Sequence, residues 1–168
     1  SLARLLRQSI SNEDEVVPLA REVEYAKGYL TIQKMRYKDK LEFEIDVEPS
    51  ILNIPLIKLV LQPIIENAIY HGLKYKESKG LLQVKGFMKD GNAVLQVIDN
   101  GVGMDEETLS HIYDKHKVNY HSNGVGVYNV QKRLKLYYGE NYGITYESEK
   151  GVGTTATITI PGIQEESI

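Results

Sequence analysis

Asp99-Asn100-Gly101-Val102-Gly103 comes straight off the apolar run read as a strand over 93–98, which places a carboxylate at the end of a strand with glycines behind it. Such a carboxylate can accept a hydrogen bond from an exocyclic amine such as that of adenine, and Gly101 and Gly103 let the backbone turn sharply and approach a flat ring. A tight loop stabilised by its own aspartate is the alternative that the turn preferences of Asp, Asn and Gly allow. Gly124-Val125-Gly126 opens a helical run, where unpaired N–H groups and the helix dipole favour phosphate. A glycine pair there also serves as a plain flexible turn. Asn67 sits on a helical segment with Glu66 beside it and His71 one turn on, so Asn67 and His71 share a face. An amide oxygen combined with phosphate oxygens suits Mg2+, which takes few protein ligands. A solvated or capped polar helix face is the other reading of a lone Asn.

Several tempting patterns are excluded. Gly151-Val152-Gly153-Thr154-Thr155-Ala156 matches the G-x-G-x-x-A dinucleotide fingerprint literally, but Ala156, Ile158 and Ile160 alternate as a strand where that motif needs a helix. A hairpin turn near the nucleotide, with Thr154 offering a hydroxyl, is expected instead. The phosphate-binding pattern G-x-x-x-x-G-K-[ST] and the nucleophile elbow G-x-S-x-G are both absent. His111, His116 and His121 are spaced by five, do not stack on one helix face and have no acidic or thiolate partners in spacing, so they are read as loop residues rather than metal ligands.

The elements that must position these groups follow from periodicity. Leu2, Leu5, Leu6 and Ile10 give the end of an amphipathic helix, and Pro18 opens a second one with Leu19, Val23, Ala26 and Leu30 as its stripe. Leu41, Phe43, Ile45 and Val47 alternate with acids as a half-buried strand. Pro55 is read as opening an apolar helical stretch through Leu56, Leu59, Val60 and Ile64, which Pro63 kinks or restarts. Strands over 82–88 and 93–98 are joined by Asp90-Gly91-Asn92, a strong hairpin signal. A short helix over 106–113, a polar loop over 114–123, a helix carrying Val127, Val130 and Leu134, and a final hairpin of 144–149 with 154–160 complete the chain. The sequence is 168 residues long with 42% hydrophobic and 26% charged residues, enough for one α/β domain with a filled core. It has no apolar run near the roughly 18 residues that span a bilayer, no secretory signal and no cysteine, which excludes disulfides and thiolate metal sites. A net charge of -3 with interspersed signs disfavours nucleic acid as a partner.

Taken in order, helical Asn67, Asp99-x-Gly101-x-Gly103, Gly124-x-Gly126 and Gly151-x-Gly153-Thr154 resemble the N box and three glycine boxes of one ATPase superfamily. That superfamily includes sensor histidine kinases, gyrase-type topoisomerases, a heat-shock chaperone and a mismatch-repair protein. More narrowly, the runs Leu61–Gly72, Asn129–Leu134 and Tyr29–Tyr37 are similar to LytS/YesM-like histidine kinases, so the likeness covers nearly the whole chain. It implies a two-layer sandwich of a mixed, mostly antiparallel sheet with helices on one face, the Bergerat-type ATP-binding fold, plus an N-terminal helical extension. The implied division is 1–17 as the end of a dimerisation helix and linker, 18–162 as the catalytic domain and 163–168 as a disordered tail. ATP would lie between the helical layer and a lid over 106–123, with Asp99 receiving the adenine amine. Asn67 would hold Mg2+, with Glu66 as its catalytic neighbour, and the Gly124, Val125, Gly126 and Val127 backbone would cradle phosphates. His71, Lys74, Gly101, Gly103 and Thr154 complete the implied binding site. The γ-phosphoryl group would pass to a histidine on the protein's own dimerisation domain and on to a response regulator. The whole protein would be a homodimeric, membrane-anchored bacterial sensor with this domain in the cytoplasm.

The chain departs from that pattern in three places. No histidine precedes His71, so the phosphoacceptor is not in this sequence; Tyr70 stands where the N box often has Lys, leaving Lys74 as a substitute cation; and Val127 follows Gly126 where Leu is usual. Two other functions were weighed. An ATP-hydrolysing machine of the same superfamily needs a Glu base one turn before Asn67, where this chain has Pro63, which cannot activate water. A non-catalytic module with a degenerate pocket is the remaining alternative.

Overall fold

The computed structural model describes residues 16–113 and 124–163. The helix expected over the first ten residues, the loop over 114–123 and most of the tail fall outside these. Leucine, isoleucine and valine in period two build five strands, β2 (Leu41–Val47), β4 (Gly80–Lys89), β5 (Asn92–Asp99), β6 (Gly143–Glu149) and β7 (Gly153–Pro161), in the order β2-β4-β5-β7-β6. The β2/β4 pair is parallel and the other three pairings are antiparallel, so the sheet is mixed and mostly antiparallel as expected. The β4–β5 turn has positive φ at both Asp90 (50°) and Gly91 (80°), the backbone of a two-residue hairpin whose twist matches that of the strands.

One face of the sheet is covered by α1 (Leu19–Tyr37), α2 (Leu61–Asn67) and α4 (Gly124–Tyr138), while α3 (Glu106–Ser110) is a single capped turn. Leu82, Val84, Leu95, Val97, Ala156 and Ile158 from the strands meet Leu30, Ile64, Ile65, Val127, Val130 and Leu134 from the helices in one buried cluster. Among the described residues no helix is long and apolar enough to cross a membrane.

The segment from Pro55 corrects the sequence reading. Pro55–Ile57 is not helical but a short strand, β3, paired antiparallel with β1 (Val16–Pro18), and the helix starts only at Leu61. This pairing places Val16, Val17 and Pro18 beside Ile57, Leu56 and Pro55. Leu59 interrupts any helix through here, with φ at 59° and 57% of its surface exposed. Pro63 then falls in the first turn of α2, where its missing N–H costs nothing.

What starts α2 at Leu61 is Glu22, 38 positions before Val60. Glu22 of α1, 2% exposed, accepts the Val60 N–H at 2.8 Å, supplying the cap that α2 lacks locally. Burial pushes the Glu22 pKa up, while the N–H groups of Val60, Leu61 and Leu59 and the Arg133 charge pull it back. From the other side Arg133 of α4 donates to the carbonyls of Lys58 (2.5 Å) and Leu59 (3.4 Å). Glu22→Ala is expected to leave those N–H groups unpaired and to destabilise the domain by about 1–3 kcal/mol, with Glu22→Gln retaining most of the stability; thermal denaturation of both variants checks this.

Candidate functional site

Strand alternation decides where Asp99 points. Ala93, Leu95 and Val97 occupy the helix-covered face of β5, so Asp99, two residues on, enters the same face at the strand end. It is 6% exposed. Its Oδ1 accepts the Gly101 N–H at 2.8 Å, and the Thr154 N–H of β7 is a second donor. Burial pushes its pKa up to about 6 against the pull of these two N–H groups and of Lys76.

The helical ladder changes over the residues that face Asp99. After Asn67 the turn Ala68–Leu73 is a π-helix, with the Lys74 N–H reaching back to the Ile69 carbonyl at 2.9 Å. Such widened turns often mark functional sites. Here the turn delivers Gly72 directly onto Asp99, since a Cβ on Gly72 would sit 2.7 Å from Asp99 Oδ1. A Cβ on Gly101 would collide with the Gly72 backbone, and one on Gly103, at φ 69°, with the Glu149 carbonyl. The glycines expected to admit a flat ring therefore spend their small size on the protein's own backbone.

Hydrogen bonds hold this loop from four directions. Leu81 N–H donates to Asn100 Oδ1 (2.7 Å), Val102 N–H to the Gly72 carbonyl (3.0 Å), Gly151 N–H to the Val102 carbonyl (2.7 Å) and Met104 N–H to Ser148 Oγ (2.8 Å). The Thr154 hydroxyl expected to be offered to a ligand is paired with Ser148 Oγ at 2.7 Å. The glycines at 151 and 153 form the tip of the β6–β7 hairpin, as expected, and that tip lies against the Asp99–Gly103 loop.

The other sequence candidates divide. His71 follows Asn67 along the same widened turn; burial holds its imidazole below the ordinary histidine pKa, so it is neutral near pH 7. Asn67 lies next to the hydroxyl of Tyr146, which projects from the covered face of β6. Glu66 points elsewhere: it accepts from Gln62 Nε2 at 3.0 Å and lies near Tyr29 of α1. Lys74 places its ammonium 4.5 Å from the centre of the Tyr70 ring, and that ring meets His71 edge-on at 4.9 Å. A cation therefore stands against the tyrosine that replaces the N-box lysine. Gly124, Val125 and Gly126 form the first turn of α4, and a Cβ on Gly126 would come 3.5 Å from Pro63 of α2, while Val127 is fully buried. Among the described residues no cluster of His, Asp or Glu could hold a metal ion.

Gly72, Asn100, Ser148 and Tyr146 were not singled out from sequence. Gly72 carried a faint signal, a glycine ending a helix without a following strand or turn motif. The other three carried none, because their roles depend on partners far away in the chain.

Residues 53–164 match the family model described as histidine kinase-, DNA gyrase B-, and HSP90-like ATPase, and residues 1–41 match one described as histidine kinase. The chain is 33% identical to the sensor histidine kinase YesM of Bacillus subtilis over 161 residues, 96% of this chain and 26% of that protein. It is 34% identical to the sensor protein LytS of Oceanobacillus iheyensis over 143 residues, 83% of this chain and 24% of that protein. The chain thus spans about a quarter of the length of these relatives. Its fold is that of the mycobacterial sensor histidine kinase MprB (TM-score 0.63, 20% identity, 88% of this chain and 96% of that one) and of the catalytic domain of histidine kinase ThkA (TM-score 0.64, 14% identity, 88% and 98%). With two thirds of its residues under one model, the chain belongs to the histidine kinase-, DNA gyrase B- and HSP90-like ATPase family.

Proposed function

We propose that this chain is the ATP-binding catalytic domain of a sensor histidine kinase, supplying the γ-phosphoryl group to a histidine on a dimerisation domain of the same protein. The observation that carries this reading is the buried Asp99 carboxylate, held at a strand end against the Gly72 turn of the helix that bears Asn67 and His71. Two N–H groups take part of the acceptor capacity of Asp99 and leave lone pairs for an exocyclic amine. The neutral His71 imidazole offers an uncharged face to an aromatic ring. Asn67 supplies the hard oxygen that suits Mg2+, whose bound charge would neutralise the phosphates, and Lys74 adds a cation nearby. The first turn of α4 supplies backbone N–H groups for phosphate oxygens. Phosphoryl transfer needs mainly such positioning and charge neutralisation.

Pro63 occupies the place where a hydrolysing relative would carry its carboxylate base, and Glu66 is engaged with Gln62. This favours transfer over hydrolysis. The dimerisation domain, a response regulator and membrane anchoring of the whole protein are part of the same proposal.

Calorimetric titration with a non-hydrolysable ATP analogue tests the reading. Binding in the micromolar to sub-millimolar range that strengthens with Mg2+ is expected, with Asn67→Ala binding the nucleotide but losing the Mg2+ dependence. Phosphotransfer to a separately supplied dimerisation domain then separates a kinase from a non-catalytic module. No binding at any Mg2+ concentration would overturn the assignment.

A further inference from the structure

Tyr146 holds a hydroxyl that the fold does not use. Its side chain points from β6 into the covered face of the sheet, and its ring meets the Tyr113 ring edge-on with centres 6.0 Å apart. The Tyr146 hydroxyl oxygen is buried and has no hydrogen-bond partner among the described residues. The neighbouring Tyr113 hydroxyl donates to the Ile144 carbonyl at 2.8 Å and makes no hydrogen bond with Tyr146. A buried hydroxyl without a partner is unfavourable, and a phenylalanine would fill the same space without that cost.

The group beside this oxygen is the Asn67 side chain, which lies near it without completing a hydrogen bond, and the Asp99 carboxylate is close enough for its charge to be felt. Burial raises the phenol pKa, so the hydroxyl stays protonated and neutral at physiological pH. An asparagine amide has two ends of nearly equal shape, and only the oxygen can ligate a cation. A half-turn of the amide would present NH2 to the metal instead. When the amide oxygen faces the cation, the nitrogen is the end left for the neutral hydroxyl, whose oxygen can accept from it and so favours that orientation in the metal-bound state.

We propose that Tyr146 is a positioning residue for Asn67, its hydroxyl accepting the Asn67 amide N–H so that the amide oxygen is the end presented to Mg2+. This rests on the reading of Asn67 as the Mg2+ ligand. Second-layer partners of this kind tune affinity by holding the ligating group in one orientation.

The test titrates a non-hydrolysable ATP analogue into the chain and its Tyr146→Phe variant over a series of Mg2+ concentrations. The variant is expected to bind metal-free nucleotide as the parent does, while its Mg2+ midpoint rises about three- to tenfold, the range for one hydrogen bond. In an Asn67→Ala background Tyr146→Phe is expected to shift nothing further, as residues acting through one another do. Its melting temperature should equal or exceed the parent's, since an unpaired hydroxyl is removed. In the wild-type chain, without any substitution, one side-chain N–H of Asn67 should become protected from solvent exchange on addition of the Mg2+ nucleotide. An unchanged Mg2+ midpoint overturns the proposal, as does an equal loss of affinity with and without Mg2+, which would place the hydroxyl on the nucleotide itself. A wild-type chain whose binding ignores Mg2+ would remove the underlying reading of Asn67 together with the proposal, an outcome distinct from a Mg2+-responsive parent matched by its variant.

Discussion

Asp99→Asn is expected to lose nucleotide binding while leaving the domain at least as stable as the parent. The two effects come from one feature, a carboxylate 6% exposed with its pKa pushed up to about 6. Replacing it with an amide sets an NH2 group against the exocyclic amine and removes a charge-assisted acceptor, which should weaken binding at least ~100-fold, or about 2.7 kcal/mol. The stability effect has a sign that pH reveals. For an acid with a raised folded pKa, folding takes up a proton between the unfolded value near 3.8 and the folded value of about 6. The penalty is absent below the lower value, grows as pH rises between the two and is complete above about 6. The parent should therefore lose up to about 2–3 kcal/mol from this group across that window. The variant should show a flatter stability–pH curve and a higher melting temperature at pH 8. In the parent, nucleotide affinity should fall as pH drops through about 6, because a protonated carboxyl is the weaker acceptor. Unaltered affinity in Asp99→Asn would remove Asp99 from the site.

Gly101→Ala is the second large effect, and Gly28→Ala is its control. A Cβ at Gly101 would be driven into the Gly72 backbone, which offers no flexible side chain to move aside. The Asp99–Gly103 loop would have to lift from the π-turn, breaking the Val102 N–H bond to the Gly72 carbonyl at 3.0 Å and displacing Gly101 N–H from Asp99. Overpacking of this kind costs about 1–3 kcal/mol, and nucleotide binding should be lost with it. Gly28 lies within α1 with nothing inside 4 Å of its built Cβ. Alanine there should stabilise by about 0.5–1 kcal/mol through helix propensity alone. Paired thermal melts and titrations check both, and a Gly101→Ala chain with normal binding would mean that the loop is not seated as described.

The parts of the fold that were legible in sequence are those whose cause is local. Alternation in Leu41–Val47 announced one strand, the apolar runs over 82–88 and 93–98 two more, and Asp90-Gly91 between them a turn that needs positive φ twice. The four boxes could be ordered because their glycine and acid spacing survives without knowledge of neighbours. Pro55–Ile57 was misread since three residues cannot display a period, and the apolar spacing of Leu56, Leu59 and Val60 imitates a helix. What ends that imitation is the Leu59 backbone together with Glu22 and Arg133, all set by distant contacts. The glycines at 101 and 103 were read as admitting a flat ring, and no one-dimensional pattern says that the backbone of Gly72 and of Glu149 approaches them. Tyr146 was invisible for the same reason, being an ordinary strand residue until Asn67 is folded over it.

The parallel pairing of β2 with β4 bears on how the domain folds. The β4/β5 and β6/β7 pairs close through short turns, but this pair requires the intervening residues 48–79 to cross over, and Asn67, His71 and Gly72 all lie within that crossover. Closing the long loop and seating the nucleotide helix are thus a single event, with loop entropy opposing it until the Leu41↔Gly80 to Val47↔Gly86 register is reached. A chain that has formed β4, β5, β6 and β7 but not this edge possesses Asp99 without the Gly72 turn that packs against it. Under the proposed site assignment, nucleotide would recognise only molecules whose sheet is complete, and binding would stabilise the domain as a whole by mass action rather than tighten one loop.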